Sequence, residues 1–310
     1  MPVASSPRAQ VWYNRLMIPL QGSAGNPDRG VLYIATQLVS YAAEAFLSAW
    51  SLKERNKSMP VTIATNLPTD STLFERFYDR VVDVSSILPA GRREVTWAEG
   101  LRHKVLGIQA TPYRETLFID ADTRVRTSRL GRLFARLGRC NIAMTEASPD
   151  MSRSRQLWGK RMFLTGVVLY DSSPATKKIL REWAALSDEH FRLAARKRLS
   201  RPDWLPPALD DQQAKFLMTT SQASMARLLS PGGSFPGLKA EILPKEWNYR
   251  TADMKRKARG VKIEHQMSLR NTLVPDLLRL SHWFRERGDA AFAERYSAYI
   301  KKAVRRGLLS

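Results

Sequence analysis

Cysteine is nearly missing from this chain of 310 residues: Cys140 is the one copy. A single thiol excludes an intramolecular disulfide framework and fits a reducing compartment. Long apolar runs are missing too, and nothing approaches the roughly 18 uninterrupted apolar residues a membrane span needs. At the start, "MPVASSPRAQ" holds no apolar stretch, and "LMIPL" (Leu16 to Leu20) is too short for a signal core, so no targeting segment is expected. The expectation is a cytoplasmic protein, soluble or peripheral to a membrane. Acids are in short supply: 29 Asp and Glu face 50 Lys and Arg, a formal charge of +21. Such a surplus attracts nucleic acid, anionic lipid or phosphorylated small molecules, and it also arises from basic faces that are merely solvated. Several signatures of nucleotide and hydrolase chemistry are absent: there is no G-x-S-x-G, Walker A loop, G-x-G-x-x-G or H-E-x-x-H. Cys140 has no adjacent histidine to activate it, and "SPGGSFPG" (Ser230 to Gly237) lacks the strand-to-helix frame of a phosphate cradle.

What is present suffices for a sizeable core. Hydrophobic residues make up 44% of the chain, which is long enough for one large domain or two modest ones. Residues 1–28 read as irregular, punctuated by Pro7, Pro19, Gly22, Gly25 and Pro27. "GVLYIAT" (Gly30 to Thr36) then reads as a buried strand. Apolar residues at Leu38, Ala42, Ala45, Ala49 and Leu52 follow at the spacing of one helix face. "VTIATN" (Val61 to Asn66) and "VVDVS" (Val81 to Ser85) read as strands, with "FERFYDR" between them as a short helix. A helix from Trp97 to Thr111 leads into the strand Thr116 to Ile119. Strands alternating with helices in this way imply right-handed crossovers and a mainly parallel, doubly wound sheet.

The second half alternates less regularly. "CNIAMTEA" and "FLTGVVLYDS" (Phe163 to Ser172) read as strands, and a helix from Pro174 to Leu186 starts on a proline that pre-sets its first turn. "LDDQQAKFLMTT" reads as a short helix with acids in its first turn, "AEILPKEWNYR" as extended chain and a turn, and "VKIEH" (Val261 to His265) as a late strand. Leu273, Leu277, Leu280 and Phe284, then Phe292, Tyr296, Tyr299 and Ala303, mark a helical hairpin split at Gly288-Asp289. Its second helix carries Arg295, Lys301, Lys302, Arg305 and Arg306, either as solvated charge or as a face for an anionic membrane.

The chemistry centres on "RETLFIDADTRV" (Arg114 to Val125). A buried strand runs straight into Asp120 and Asp122, at the carboxyl end where open α/β sheets bind ligands. Two carboxylates there repel each other, and a cation between them removes the repulsion. The other reading is a strand that runs out into a solvated acidic turn. Hard carboxylate oxygens suit a divalent ion shared with phosphate.

The order of the elements resembles nucleotide-sugar glycosyltransferases of the GT-A fold, in particular the glycogenin-like and lipopolysaccharide-galactosyltransferase-like group. The elements are a strand ending in Thr36, a helix with Lys104, "DAD", "LTGVVLYDS", "LDDQQA", "LPKEWNYR" and a strand ending in His265. The resemblance covers about Gly30 to Arg270. It implies a Rossmann-like mixed, mainly parallel sheet flanked by helices over residues 29–271, with a C-terminal helical extension over 272–310. It further implies a metal-dependent hexosyl transfer from a nucleotide-diphosphate sugar, UDP-sugar by expectation, to an acceptor hydroxyl on a glycan, lipid-linked or protein acceptor, as in glycan or surface polysaccharide synthesis. On this resemblance Asp120-Ala121-Asp122 is the Asp-x-Asp motif holding Mn²⁺ or Mg²⁺, and His265 is the third metal ligand or else a core histidine. Tyr33, Ala35 and Thr36 lie near the base and ribose, with an ordinary core aromatic as the alternative for Tyr33. Lys104 pairs with phosphate. Thr165 and Gly166 belong to the strand lining the acceptor side, where Leu164 replaces the family's asparagine. Asp211 and Gln212 lie beside the reacting sugar carbon, Asp211 alternatively being a helix cap. Arg270 stands in for a phosphate-gripping lysine within "HQMSLR", where the family's Gly and Lys are missing.

Two other classes compete. A basic nucleic-acid-binding α/β module needs base-stacking aromatics among its cations, which "KRKARG" (Lys255 to Gly260) lacks, so no nucleic acid is expected. A sugar nucleotidyltransferase usually shows a glycine-rich, arginine-containing loop after the first strand, and "IATQLVSY" has none.

Overall fold

The computed structural model describes residues 28–68, 72–88, 97–148, 153–196, 199–229, 235, 237–250, 260–265 and 273–309. The irregular start, Arg270 and most of the "SPGGSFPG" loop lie outside these residues. In chain order the strands are β1 (Arg29–Ile34), β2 (Val61–Thr65), β3 (Arg80–Asp83), β4 (Glu115–Ile119), β5 (Thr123–Val125), β6 (Ile142–Glu146), β7 (Phe163–Asp171), β8 (Ala240–Leu243), β9 (Tyr249–Arg250) and β10 (Ile263–His265). The helices are α1 (Val39–Lys53), α2 (Trp97–Gly107), α3 (Leu130–Phe134), α4 (Arg153–Trp158), α5 (Pro174–Ala194), α6 (Asp211–Thr219), α7 (Ser221–Leu228), α8 (Leu273–Glu286) and α9 (Ala290–Arg305).

Seven strands form one sheet in the order β3-β2-β1-β4-β7-β6-β8. Six run in one direction and β7 runs against them. The fold is therefore mixed α/β with a mainly parallel sheet. Successive side chains of a strand point to opposite faces. Both faces of the central strands β2, β1, β4 and β7 are covered and these strands are buried almost throughout, whereas the edge strands β3 and β8 keep exposed residues. Val31, Tyr33, Leu117 and Ile119 share one core with α1, while Leu32, Phe118, Val168 and Tyr170 share the other with Ile179, Leu180 and Trp183 of α5. The C-terminal hairpin completes the first core through Leu273, Leu277, Leu280, Phe284, Phe292 and Tyr296. Its apolar stripe packs inward, and Lys301, Lys302, Arg305 and Arg306 stay exposed.

Two expectations need correcting. Phe74–Arg80 is not a helix: a 3-10 turn over Thr72–Phe74 ends there, and Arg76 has a left-handed backbone with φ of 79°. The reason is packing, since Phe74 and Phe77 both turn into the core while Arg76 pairs with Asp289 at 2.6 Å and lies over the Phe292 ring. The helix begun at Pro174 runs on to Ala194 rather than stopping at Leu186. Ser173 caps it by accepting from the Thr176 amide.

A second, three-stranded sheet in the order β5-β10-β9 stands beside the end of β4. The other feature that shapes this region is a bulge in β7. Met144 pairs with Val168 but Thr145 pairs with Leu164, so Thr165, Gly166 and Val167 have no partner on β6. A bulge bends its strand and re-aims the residues it contains. On the opposite side the ladder to β4 continues through Ile119 and Val167, and the Asp120 amide donates to the Gly166 carbonyl at 2.8 Å.

Candidate functional site

Asp120 leaves β4 at its carboxyl end, and one residue separates it from Asp122, which precedes β5. β5 pairs antiparallel with β10, with Thr123 opposite His265. That short ladder brings the late histidine to the acids. His265 Nε2 lies 3.0 Å from an Asp122 carboxylate oxygen and 4.0 Å from one of Asp120. Ligand atoms of the three side chains all fall within 4.8 Å of one another.

The turn that carries the acids is tied to the core by hydroxyls. The Thr123 hydroxyl donates to the Asp120 carbonyl at 2.8 Å. Its single proton is thereby used, so Ser48, 2.8 Å away, donates to Thr123, and Tyr33, 3.0 Å from Ser48, donates in turn to Ser48. Tyr33, Ser48 and Thr123 are all wholly buried. The Val125 amide donates to Ser51 on the same helix at 2.9 Å. Strand β1 and helix α1 thus fix where the acids sit.

Gly166 forms the floor. A Cβ on this residue would lie 2.5 Å from His265 Cε1 and 2.9 Å from Asp120 Oδ2. Real Cβ atoms do not approach that closely, so His265 and Asp120 occupy the space that any other residue's side chain would need.

The charges are matched. Lys104 Nζ, on α2, lies 3.1 Å from the Asp120 carboxylate and donates to the Thr165 carbonyl, 3.4 Å away, in the bulge. Burial works to raise Asp122, but the His265 charge, its hydrogen bond and Lys104 outweigh it and hold the carboxyl below its ordinary range. Burial works to lower His265, and Asp122 with Asp120 outweighs it in the raising direction. Asp122 and Asp120 thus favour the protonated ring, and Lys104 stands beside them.

Two carboxylates and an imidazole are a donor set for a divalent cation. Bonds of about 2.1 Å at right angles place adjacent ligand atoms roughly 3 Å apart, the separation found between His265 and Asp122. The residues fit such an ion.

Other predicted positions fall elsewhere. Tyr33 is a core aromatic, its hydroxyl turned to Ser48 rather than to a ligand. Ala35 is buried, and the buried Thr36 hydroxyl lies 3.1 Å from His103 Nδ1. Ala121 is half-buried against the α1 core. Thr165 is buried, its hydroxyl 2.9 Å from Ser221. Leu164, which replaces the family's asparagine, is a core residue. Asp211 is 69% exposed and pairs with Arg201 at 2.6 Å, while Asp210 makes the capping box of α6 with Gln213. Gln212 is exposed. None of the described contacts of Asp211 reaches the acid cluster.

Sequence reasoning missed Ser48, Thr123 and Asn248. Asn248 sits inside "LPKEWNYR", and its burial at 2% exposure places an amide directly against His265, with its oxygen 3.1 Å from Nδ1. The signal available in the sequence was an asparagine set between two aromatic residues, Trp247 and Tyr249.

No protein-family model matches this chain, and no curated protein matches it. Among solved structures it is similar to the bifunctional glycosyltransferase WbbM in its apo form, at 13% identity and a TM-score of 0.48 over 83% of this chain and 50% of that one. It is also similar to the galactosyltransferase LgtC in complex with donor and acceptor sugar analogues, at 15% identity and a TM-score of 0.45 over 90% of this chain and 100% of that one. A third is the glycosyltransferase GlyE of Streptococcus pneumoniae TIGR4, at 14% identity and a TM-score of 0.48 over 91% of this chain and 65% of that one. The chain spans half the length of the WbbM chain it matches. The functional reading rests on the chain's own site.

Proposed function

We propose that this protein is a metal-dependent GT-A glycosyltransferase that moves a hexose from a nucleotide-diphosphate sugar, a UDP-sugar in this reading, to an acceptor hydroxyl of a glycan. The observation that carries the proposal is the convergence of Asp120, Asp122 and His265 on one point above Gly166, at the carboxyl end of β4. In the reaction the bond from the sugar's anomeric carbon to the diphosphate oxygen breaks and its electron pair leaves with the diphosphate. A bond to the acceptor oxygen forms, and the acceptor's proton passes to a base. A bound Mn²⁺ or Mg²⁺ supplies charge neutralisation on the departing diphosphate.

The chain's residues have the following parts in this reading. Asp120 and Asp122 hold the cation through oxygen and His265 through Nε2. Lys104, already 3.1 Å from Asp120, pairs with phosphate as a point charge. Asp211, on the exposed start of α6, is assigned to the reacting sugar carbon, with Gln212 beside it. Incubation with a panel of sugar nucleotides tests the reading: Mn²⁺-dependent hydrolysis of at least one is expected, and none with any nucleotide sugar would count against it. Asp211→Asn should lower turnover by orders of magnitude and leave UDP affinity nearly unchanged. Normal turnover would leave Asp211 with only its Arg201 pair.

A further inference from the structure

His265 has two ring nitrogens, and the structure engages both. Nε2 faces the acids, 3.0 Å from Asp122. Nδ1 faces the side-chain oxygen of Asn248 at 3.1 Å. Which nitrogen carries the proton in the neutral ring depends on what Asn248 presents, and an amide can be turned either way.

Here the amide cannot be turned. The Asn248 nitrogen donates to the Leu164 carbonyl at 3.3 Å. Leu164 stands at the edge of the β7 bulge, and a carbonyl oxygen only accepts. The amide nitrogen must therefore point to Leu164 and the oxygen to the imidazole. An oxygen facing Nδ1 requires a proton on Nδ1. Without a cation, Nε2–H donates to the Asp122 carboxylate; a cation that took that proton's place would find the remaining proton held on Nδ1 and the lone pair on Nε2. Metal-binding histidines are commonly fixed in this way by a partner on the other nitrogen.

We infer that Asn248 is a positioning residue that holds His265 in its Nδ1–H tautomer and thereby makes Nε2 the ligand atom. The inference rests on the metal-site reading above. Asn248 touches neither the acids nor the proposed ion, and acts through the ring alone. The position calls for an amide. An aspartate would still accept from Nδ1, but it would leave the Leu164 carbonyl without its donor and set a third carboxylate beside two others. A leucine of similar volume would offer nothing to either group.

Two measurements on the full chain test this. In wild-type protein saturated with diamagnetic Mg²⁺, ¹⁵N NMR of the ring identified by its loss in His265→Gln should show a protonated Nδ1 and an unprotonated Nε2. The opposite tautomer would overturn the inference, and this measurement needs no Asn248 variant to fold. Mn²⁺ binding by calorimetry should then be about 10–100-fold weaker in Asn248→Leu, with a mixture of tautomers. Asn248→Asp should keep the Nδ1–H tautomer. If the wild type bound Mn²⁺ and Asn248→Leu bound it equally, the role of Asn248 would fall while the metal site stood. If neither wild type nor Asp122→Asn bound Mn²⁺, the metal-site reading itself would fall and take this role with it.

Discussion

His265 is largely buried and His190 wholly so, yet their neighbours shift the two rings in opposite directions. Desolvation pushes each towards the neutral form. At His265 the carboxylates of Asp122 and Asp120 reverse that push and raise the proton affinity. At His190, on α5, the Arg227 guanidinium lies 2.7 Å from Nε2 and adds to the effect of burial, lowering it to about 3. Guanidinium only donates, so His190 Nε2 accepts and the ring is neutral. Its surroundings are aromatic: the Trp204 ring centroid is 4.8 Å away, and Arg227 lies 5.0 Å over that same ring. The sign of the nearest charge separates the histidine beside the acids from the one built into a core.

The comparison breaks most completely at Asp122. Asp122→Asn removes the charge that favours the proton on His265, and calorimetry should show Mn²⁺ binding abolished in a protein that still folds. Unchanged binding would assign the cation elsewhere. Gly166→Ala comes next. Its added carbon would meet the His265 ring at 2.5 Å, so the ring must move. Mn²⁺ affinity should fall about tenfold or more while circular dichroism keeps the native spectrum. Wild-type affinity in this variant would show that the ring's place does not matter.

At the other histidine, Arg227→Met leaves Nε2 buried without its donor. The loss should cost about 1–3 kcal/mol in urea unfolding, and no loss would show that the pair is incidental. The smallest effect concerns pH. His190 and His103, the latter lowered to about 4 by burial and then by Arg102, are neutral in the folded state. Both charge near 6.5 when unfolded. Their contribution to stability is therefore complete above about pH 6.5 and lost as pH falls towards 4. His265 has the opposite sign, its contribution being present below 6.5 and lost as pH rises through its raised folded value. Melting temperatures of metal-free protein should fall from pH 6.5 to 4, and less steeply in His190→Gln. A melting temperature that stays flat over this range would contradict the neutral assignment.

The sequence pointed to the acid cluster through its resemblance to a family motif order. Asp120, Asp122 and His265 were singled out as metal ligands, and the structure sets them within reach of one ion. The strand and helix order of the first half followed from apolar spacing, because covered sheet faces leave continuous apolar runs. What stayed hidden depends on contacts between distant parts. Tyr33 read equally as a ligand contact or a core ring until Ser48 appeared beside its hydroxyl. The β7 bulge leaves no mark in composition, and β5 is only three residues long, too short for any periodicity to register. The left-handed Arg76 ended a helix whose pattern looked sound.

The second sheet also has a consequence for how the protein is made. A ribosome lays down every strand of the seven-stranded sheet by Leu243, while His265 has still to be added. A nascent chain released to that point carries both acids but not the imidazole. Three ligand atoms meet only when β10 threads back against β5, across a separation that links Arg126 to Glu264 at 2.8 Å over 138 residues. With β8 already in the sheet, only the segment after Leu243 has to close for that pairing to form. The cluster of two carboxylates and an imidazole is therefore assembled only after every strand of the seven-stranded sheet has been made. On the proposed metal reading the full chain should gain melting temperature as Mn²⁺ is added, and His265→Gln should gain less.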